Sequence, residues 1–296
     1  MWLCLRKLYY WIKLLRVTHW VKNLFVFAPL FFSGNLNSIV LFGQSLLAFW
    51  SFCLISSSMY CFNDVIDMEK DRLHPLKCQR PVASGSVSIT EAYLLMIVCA
   101  FLGFCVAAMA DVALPFFMVL LGYWLLNMVY CLWLKRTAIV DVSCISIGFV
   151  LRIMAGAIVT GIFVSQWLVI MTYLLALFIS LVKRYNDVLM GEEPFGQLRE
   201  SIYSYNRNFI LIAITVVAAV MLVCYIMYTI SEEVVARFGS CYVFMTSFWV
   251  LIAILRFIQV LIFSINSFNP ARIVLKDYFV WLCVVGWFVN FFLILY

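Results

Sequence analysis

The chain has 296 residues, 67% of them hydrophobic and 11% charged, with a mean hydropathy of +1.08 and a formal net charge of +6. Soluble domains are roughly 45–50% apolar and about 25% charged, so a soluble globular domain and a disordered chain are both excluded. A barrel is disfavoured because its strands would alternate in polarity, which leaves an all-α, polytopic membrane protein of about nine spans at roughly 20 residues each, with residues 1–296 forming a single membrane domain.

In chain order, residues 1–17 form a basic, aromatic, amphipathic segment on the cytoplasmic surface. They lack the apolar core and small-residue cleavage site of a signal peptide. Spans are then predicted at 18–34, 40–61, 90–110, 112–133, 139–161, 165–182, 208–230, 240–264 and 278–296. The first is the least regular, because Pro29 interrupts it and Lys22 sits near its start. With the N-terminus cytoplasmic, 17 of the 20 Lys and Arg residues fall on one side of these spans and only Arg237 on the other. The expected location is a bacterial inner membrane, and that asymmetry places the N-terminus and the even-to-odd connections in the cytoplasm. It also accounts for the net charge without nucleic acid. Most of the eleven cysteines lie within apolar runs and read as small core residues. Trp20, Trp133, Trp167 and Tyr173 are read as interface anchors.

Polar chemistry gathers in two cytoplasmic loops, 62–89 and 183–207. In the first, Asn63, Asp67 and Asp71 are spaced i, i+4, i+8 and line one face of a helix. Three such oxygen ligands, with Asp64 to one side, suit a hard cation such as Mg²⁺ that shares its shell with phosphate. A solvated charged loop is the plainer alternative. Arg72, His74, Lys77 and Arg80 follow and supply the cations that a metal-bound diphosphate still needs. Pro75 and Pro81 stop the helix, and His74, beside Pro75, has a structural or phosphate-contact role rather than an acid–base one. The second loop carries Lys183, Arg184 and Asp187. Four spans separate the loops, so both are expected on one face and able to build one site. Arg152 lies within a span, where an ionisable side chain is by default functional. It either braces the structure or contacts a substrate phosphate. Arg256, also within a span, snorkels or pairs with another helix.

These residues carry a resemblance. Asn63-x-x-x-Asp67-x-x-x-Asp71 is similar to the first aspartate-rich motif of the UbiA superfamily of intramembrane prenyltransferases, whose second motif usually reads D-x-x-x-D. Here that place reads Lys183-Arg184-Tyr185-Asn186-Asp187, which resembles the K-R-x-x-E of the decaprenyl-phosphate phosphoribosyltransferase branch, with Asp for Glu. His19-Trp20-Val21-Lys22-Asn23 resembles that branch's Q-W-x-K-N, and Gly148 to Arg152 through Ala155-Gly156-Ala157 resembles its fifth-helix segment. Pro270 and Asp277 fall where the branch has a similar loop.

The resemblance implies nine transmembrane helices around a central, lipid-open cavity. It implies Mg²⁺ held by Asn63, Asp67 and Asp71, with Asp67, Asp71 and Asp187 catalytic. Lys22, Asp64, Arg72, His74, Lys77, Arg80, Arg152, Lys183 and Arg184 become substrate contacts. The donor it implies is phosphoribosyl pyrophosphate and the acceptor a polyprenyl phosphate lipid. Two other readings are prenyl transfer from a polyprenyl diphosphate to an aromatic acceptor, and a membrane transporter. Transporter sites lie near the bilayer midplane on broken helices, whereas these clusters lie at the cytoplasmic edge.

Overall fold

The computed structural model describes residues 2–74, 77–191, 205–263 and 277–295, and among them every regular element is helical. Seven helices are long and apolar enough to cross a membrane, from Ile39–Ile66 through Cys241–Phe263, and Tyr278–Ile294 is a shorter apolar helix. Their outward side chains are apolar: Leu94, Ile97 and Phe101 on one face of the Ile89–Ala107 helix are 61%, 59% and 66% exposed. Such a stripe matches hydrocarbon rather than water as its surroundings.

The described residues divide into two compact units, one up to Ser165 and one from Gln166 on. The first unit opens with α1 (Trp2–Leu15), followed by a 3-10 segment, Val17–Phe27, and the short α2 (Ala28–Phe32). The first predicted span is therefore not one regular α-helix. Pro29 lacks the N–H that would continue the ladder and sits at the start of α2 instead. An 11-residue 3-10 run is long for that geometry; tertiary bonds described below hold it.

At the centre of this unit is α3 (Ile39–Ile66), capped by Ser38, whose hydroxyl accepts from the Leu41 N–H. It packs against α1, the 3-10 segment, α5 (Ile89–Ala107), α6 (Ala113–Leu132) and α7 (Val140–Thr160). Phe52, Ile55, Phe116 and Leu120 fill the space between them. On α7, a Cβ at Gly156 would fall 1.9 Å from the Val26 carbonyl oxygen, so only glycine admits the 3-10 segment at this distance. A second apolar cluster seats Leu14 of α1 on Cys61, Val82 and Val87.

At 28 residues, α3 is about 42 Å long, against roughly 30 Å of hydrocarbon. That excess is long enough for its last turns, with Asn63 and Asp64, to extend past the hydrocarbon. The predicted loop 62–89 begins as helix: α3 ends at Ile66, Asp67 (φ −92°, ψ 3°) breaks it, and α4 (Met68–Leu73) follows.

In the second unit, α8 (Gln166–Gly191) packs on α9 (Arg207–Thr229), and α11 (Thr246–Phe263) packs on α12 (Tyr278–Leu295), with α10 (Glu232–Phe238) between α9 and α11 in the chain. The α8 helix also overruns the hydrocarbon thickness, so Lys183–Asp187 lie on its last turns and not in the loop expected there. Residues 192–204 of that loop, with Glu192 and Glu193, lie outside the described residues, as does Pro270.

Candidate active site

The break at Asp67 reorganises the carboxylates. The backbone still bonds Asp67 N–H to Asn63 C=O at 2.9 Å and Asp71 N–H to Asp67 C=O at 2.8 Å, but the side chains do not form the single row that a straight helix would give. Asn63 and Asp67 turn one way: Asn63 Oδ1 accepts from Cys131 Sγ at 3.5 Å, and Asp67 Oδ1 from Lys135 Nζ at 2.5 Å. Asp64 and Asp71 turn the other way and share Arg80, whose Nη1 lies 2.6 Å from Asp71 and 3.5 Å from Asp64. Arg16 Nη2 also reaches Asp64 Oδ1, at 2.5 Å, and its guanidinium lies 4.9 Å from the centre of the Tyr60 ring. Three carboxylates are thus paired with three cations, Asp67 with Lys135 on one side and Asp64 and Asp71 with Arg16 and Arg80 on the other. Asp64 and Asp71 are buried, at 2% and 4% exposure, which makes unpaired charge there costly.

Two of these cations, Arg16 and Lys135, were absent from the sequence-derived site. Lys135 sits in the 3-10 turn Leu134–Arg136 between α6 and α7, on the side that the charge asymmetry assigns to the first motif. That shared side was the only available signal. The turn leads into strained backbone. Val140 N–H bonds the Ala138 carbonyl at 2.8 Å, with Ile139 between them at φ +68°, a three-residue turn rarely taken by a β-branched residue.

The basic run past Asp71 splits. Arg80 enters the cluster, while Arg72 Nε donates to the Ala83 carbonyl at 3.2 Å and braces the chain beyond it. His74 Nδ1 accepts from the Lys77 N–H at 3.3 Å. Lys13 Nζ, from α1, holds the Gln79 carbonyl at 3.1 Å.

Arg152 is bonded on three sides in the interior. It is 5% exposed. Its Nε donates to Asn23 Oδ1 (2.8 Å), its Nη1 to the Gly148 carbonyl (2.7 Å) and its Nη2 to Tyr123 Oη (2.8 Å). The rings of Tyr123, Phe149 and Phe52 surround it at 4.8–5.7 Å. Asn23 passes the contact on through Nδ2 to Cys53 and Ser56. Trp20 Nε1 donates to Ser57 Oγ, which in turn bonds the Leu15 carbonyl. Trp20 is therefore tied to α3. These bonds hold the 3-10 segment, and with it Lys22, whose side chain is exposed.

On α8, Arg184 is 3% exposed and its Nη1 donates to Asp187 Oδ2 at 2.9 Å, while Lys183 is exposed. On α11 and α12, Arg256 pairs with Asp277 through Nε (3.1 Å) and Nη2 (2.8 Å). That hydrogen bonding holds the Asp277 carboxyl below its ordinary range. Arg256 thus pairs with another helix, as one of its two expected roles required.

The oxygen donors of Asn63, Asp64, Asp67 and Asp71 are of the hard kind that Mg²⁺ takes, and in that sense they fit the ion. Among the described residues, no three His, Cys, Asp or Glu side chains converge as a metal site. The carboxylates are instead turned to Arg and Lys.

The described residues are all helical, with seven helices apolar enough to cross a membrane and with carboxylates paired to cations at the end of α3. The chain belongs to the UbiA prenyltransferase family, whose model matches residues 24–272. The decaprenyl-phosphate phosphoribosyltransferase of Mycolicibacterium smegmatis is 31% identical over 287 residues, which cover 93% of this chain and 89% of the relative. The enzyme of the same name from Mycobacterium tuberculosis H37Rv is 31% identical, with 93% and 91% covered. A UbiA homologue from Archaeoglobus fulgidus, solved bound to GPP and Mg²⁺, superposes with a TM-score of 0.70 over 95% of this chain and 99% of that one, at 19% identity. That likeness establishes the fold.

Proposed function

We propose that this protein transfers a 5-phosphoribosyl group from phosphoribosyl pyrophosphate to a polyprenyl phosphate and releases pyrophosphate. The observation that carries the reading is the full-length similarity to two enzymes named for this activity, over a chain that keeps Asn63, Asp67 and Asp71 and has Lys183-Arg184 in place of a second acidic motif. Both substrates are anionic, and the donor carries a 5-phosphate besides its diphosphate. A site for them needs cations beyond a metal, and Arg16, Arg80 and Lys135 stand beside the first motif's carboxylates.

In this reading Asn63, Asp67 and Asp71 hold Mg²⁺, with Asp64 beside them. When bound, the ion neutralises the diphosphate and stabilises it as a leaving group. Arg80, Lys77, His74 and Arg72 lie next in sequence and are assigned to the donor's phosphates, together with Lys22. Lys183 and Arg184 are assigned to anionic substrate groups on their own unit, with Asp187 orienting Arg184 through the bond between them. The acceptor's phosphate oxygen attacks the anomeric carbon. That oxygen is already ionised at neutral pH, so the chain needs no strong general base, and catalysis rests on positioning and charge stabilisation. Arg152, bonded on three sides within the protein, positions the 3-10 segment and does not touch substrate. We further propose nine spans, with the 3-10 segment and α2 as the first and α12 as the last. The N-terminus and the cluster then face the cytoplasm of a bacterial inner membrane, and the whole chain acts as one domain.

The test is transfer by purified protein in detergent, with Mg²⁺, polyprenyl phosphate and donor labelled in the ribose. Label should move into the lipid phase with wild type and stay in water with Asp67→Ala. Label that stays in water with wild type, while geranyl diphosphate and an aromatic acceptor react, refutes the phosphoribosyl reading.

A further inference from the structure

We infer that Arg80 and Lys135 are the chain's own counter-cations for the first motif, so that the metal binds well only together with the anionic donor that draws these two side chains away. The inference rests on the proposed function for the identity of that donor. Its physical basis is the charge arrangement. Asp67 is held by Lys135 at 2.5 Å, Asp71 by Arg80 at 2.6 Å, and Asp64 by Arg16 and Arg80 at 2.5 and 3.5 Å. The side chains of Lys135 and Asp71 are largely buried, 10% and 6% exposed, so these are not solvent-screened surface pairs.

Across these pairs three positive groups balance three negative ones. A divalent cation entering alone must break two pairs and then sit beside two displaced positive side chains, which repel it. A diphosphate entering with the metal reverses both costs. It offsets the added charge, and its oxygens offer Arg80 and Lys135 new partners of the kind they give up. The result is a coupling between metal and donor, equal in both directions.

The two cations stand on or beside short 3-10 turns and not within a long helix. Lys135 stands in a short 3-10 turn four residues before the strained backbone of Ile139, and a strained turn persists only where the surroundings hold it. Arg80 follows the short 3-10 turn Lys77–Gln79, where the chain is tied to α1 by the Lys13–Gln79 bond. Arg16, by contrast, is packed on Tyr60 and stays with Asp64.

The test is a Mn²⁺ titration of the full-length protein in detergent, read by the electron paramagnetic resonance signal of free Mn²⁺. It is run with and without phosphoribosyl pyrophosphate, omits acceptor so that nothing turns over, and is corrected for chelation by the donor in protein-free samples. Wild type should bind Mn²⁺ at least about tenfold more tightly with donor than without. Arg80→Gln and Lys135→Gln should each bind Mn²⁺ alone about tenfold more tightly than wild type, and the donor's effect should shrink to about threefold or less. A variant merely damaged in structure would lose metal affinity. Unchanged or weaker Mn²⁺ binding in folded variants overturns the inference, and so does a wild-type affinity that ignores the donor. If neither variant folds, the wild-type ratio decides. Geranyl diphosphate as a second donor separates the two proposals. Coupling to it and not to phosphoribosyl pyrophosphate would refute the proposed substrate and leave the exchange standing. Coupling to phosphoribosyl pyrophosphate with no gain in the variants would do the reverse.

Discussion

Replacing Arg152 by Met separates the two roles that an intramembrane arginine can have. The substitution removes three hydrogen bonds, to Asn23, Gly148 and Tyr123, all of 2.7–2.8 Å. Side-chain bonds of this kind within membranes are worth about 0.6 kcal/mol on average and up to about 1.7, so three of them sum to roughly 2–5 kcal/mol. Loss of the cation's contact with the Tyr123 ring adds about 0.5–1 kcal/mol. Release from burying a charge works the other way. It does not cancel the loss, because Asn23 and Tyr123 stay buried with fewer partners. The net expectation is a destabilisation of about 3 kcal/mol, or a fall in Tm of roughly 6–12 °C for a unit of this size. Thermal unfolding in detergent, followed by tryptophan fluorescence, measures it. A double-mutant cycle with Asn23→Leu should show coupling, since the two share a bond. A Tm unchanged within about 2 °C, with a raised KM for either substrate, would refute the bracing role and make Arg152 a substrate contact.

Three further outcomes follow from the packing and the ion pairs. Gly156→Ala should abolish the close approach of α7 to the 3-10 segment, since its Cβ would meet the Val26 carbonyl at 1.9 Å, and should appear as a loss of folded protein on size exclusion. Ile139→Gly should raise Tm by a few degrees, because it relieves about 1–2 kcal/mol of positive-φ cost at a side chain that is 54% exposed; a lower Tm would show that the turn is unstrained. Chelation by EDTA should stop phosphoribosyl transfer while lowering Tm by less than about 3 °C. The carboxylates keep their Arg and Lys partners when the metal leaves, so a large fall in Tm would contradict the internal pairing.

Much of this architecture was legible in the sequence because a membrane makes strong demands on composition. Unbroken apolar runs marked the helices. The residues of the first motif stood out because four polar groups rarely follow an apolar run so closely. Their side-chain arrangement was not legible. The i, i+4, i+8 reading assumes a straight helix, and the break at Asp67 sends Asp71 toward Arg80 instead of into line with Asn63. Nor did any local pattern mark Lys135, which lies 68 residues from Asp67 in the chain. The same holds for Arg152 and Asn23, 129 residues apart. Such pairs are set by how helices pack, and helix spacing alone carries no trace of them. The first span shows the limit from the other side. Pro29 announced an irregularity, while the 3-10 form depends on bonds from α3 and α7.

The most direct measurement of the central claim is the mass spectrum of the lipid recovered after incubation with polyprenyl phosphate, Mg²⁺ and phosphoribosyl pyrophosphate. The account predicts a polyprenyl-phosphoryl ribose that retains its 5-phosphate, formed together with an equal amount of pyrophosphate. An unmodified polyprenyl phosphate, in a preparation that attaches a prenyl chain to an aromatic acceptor from a prenyl diphosphate, would contradict it.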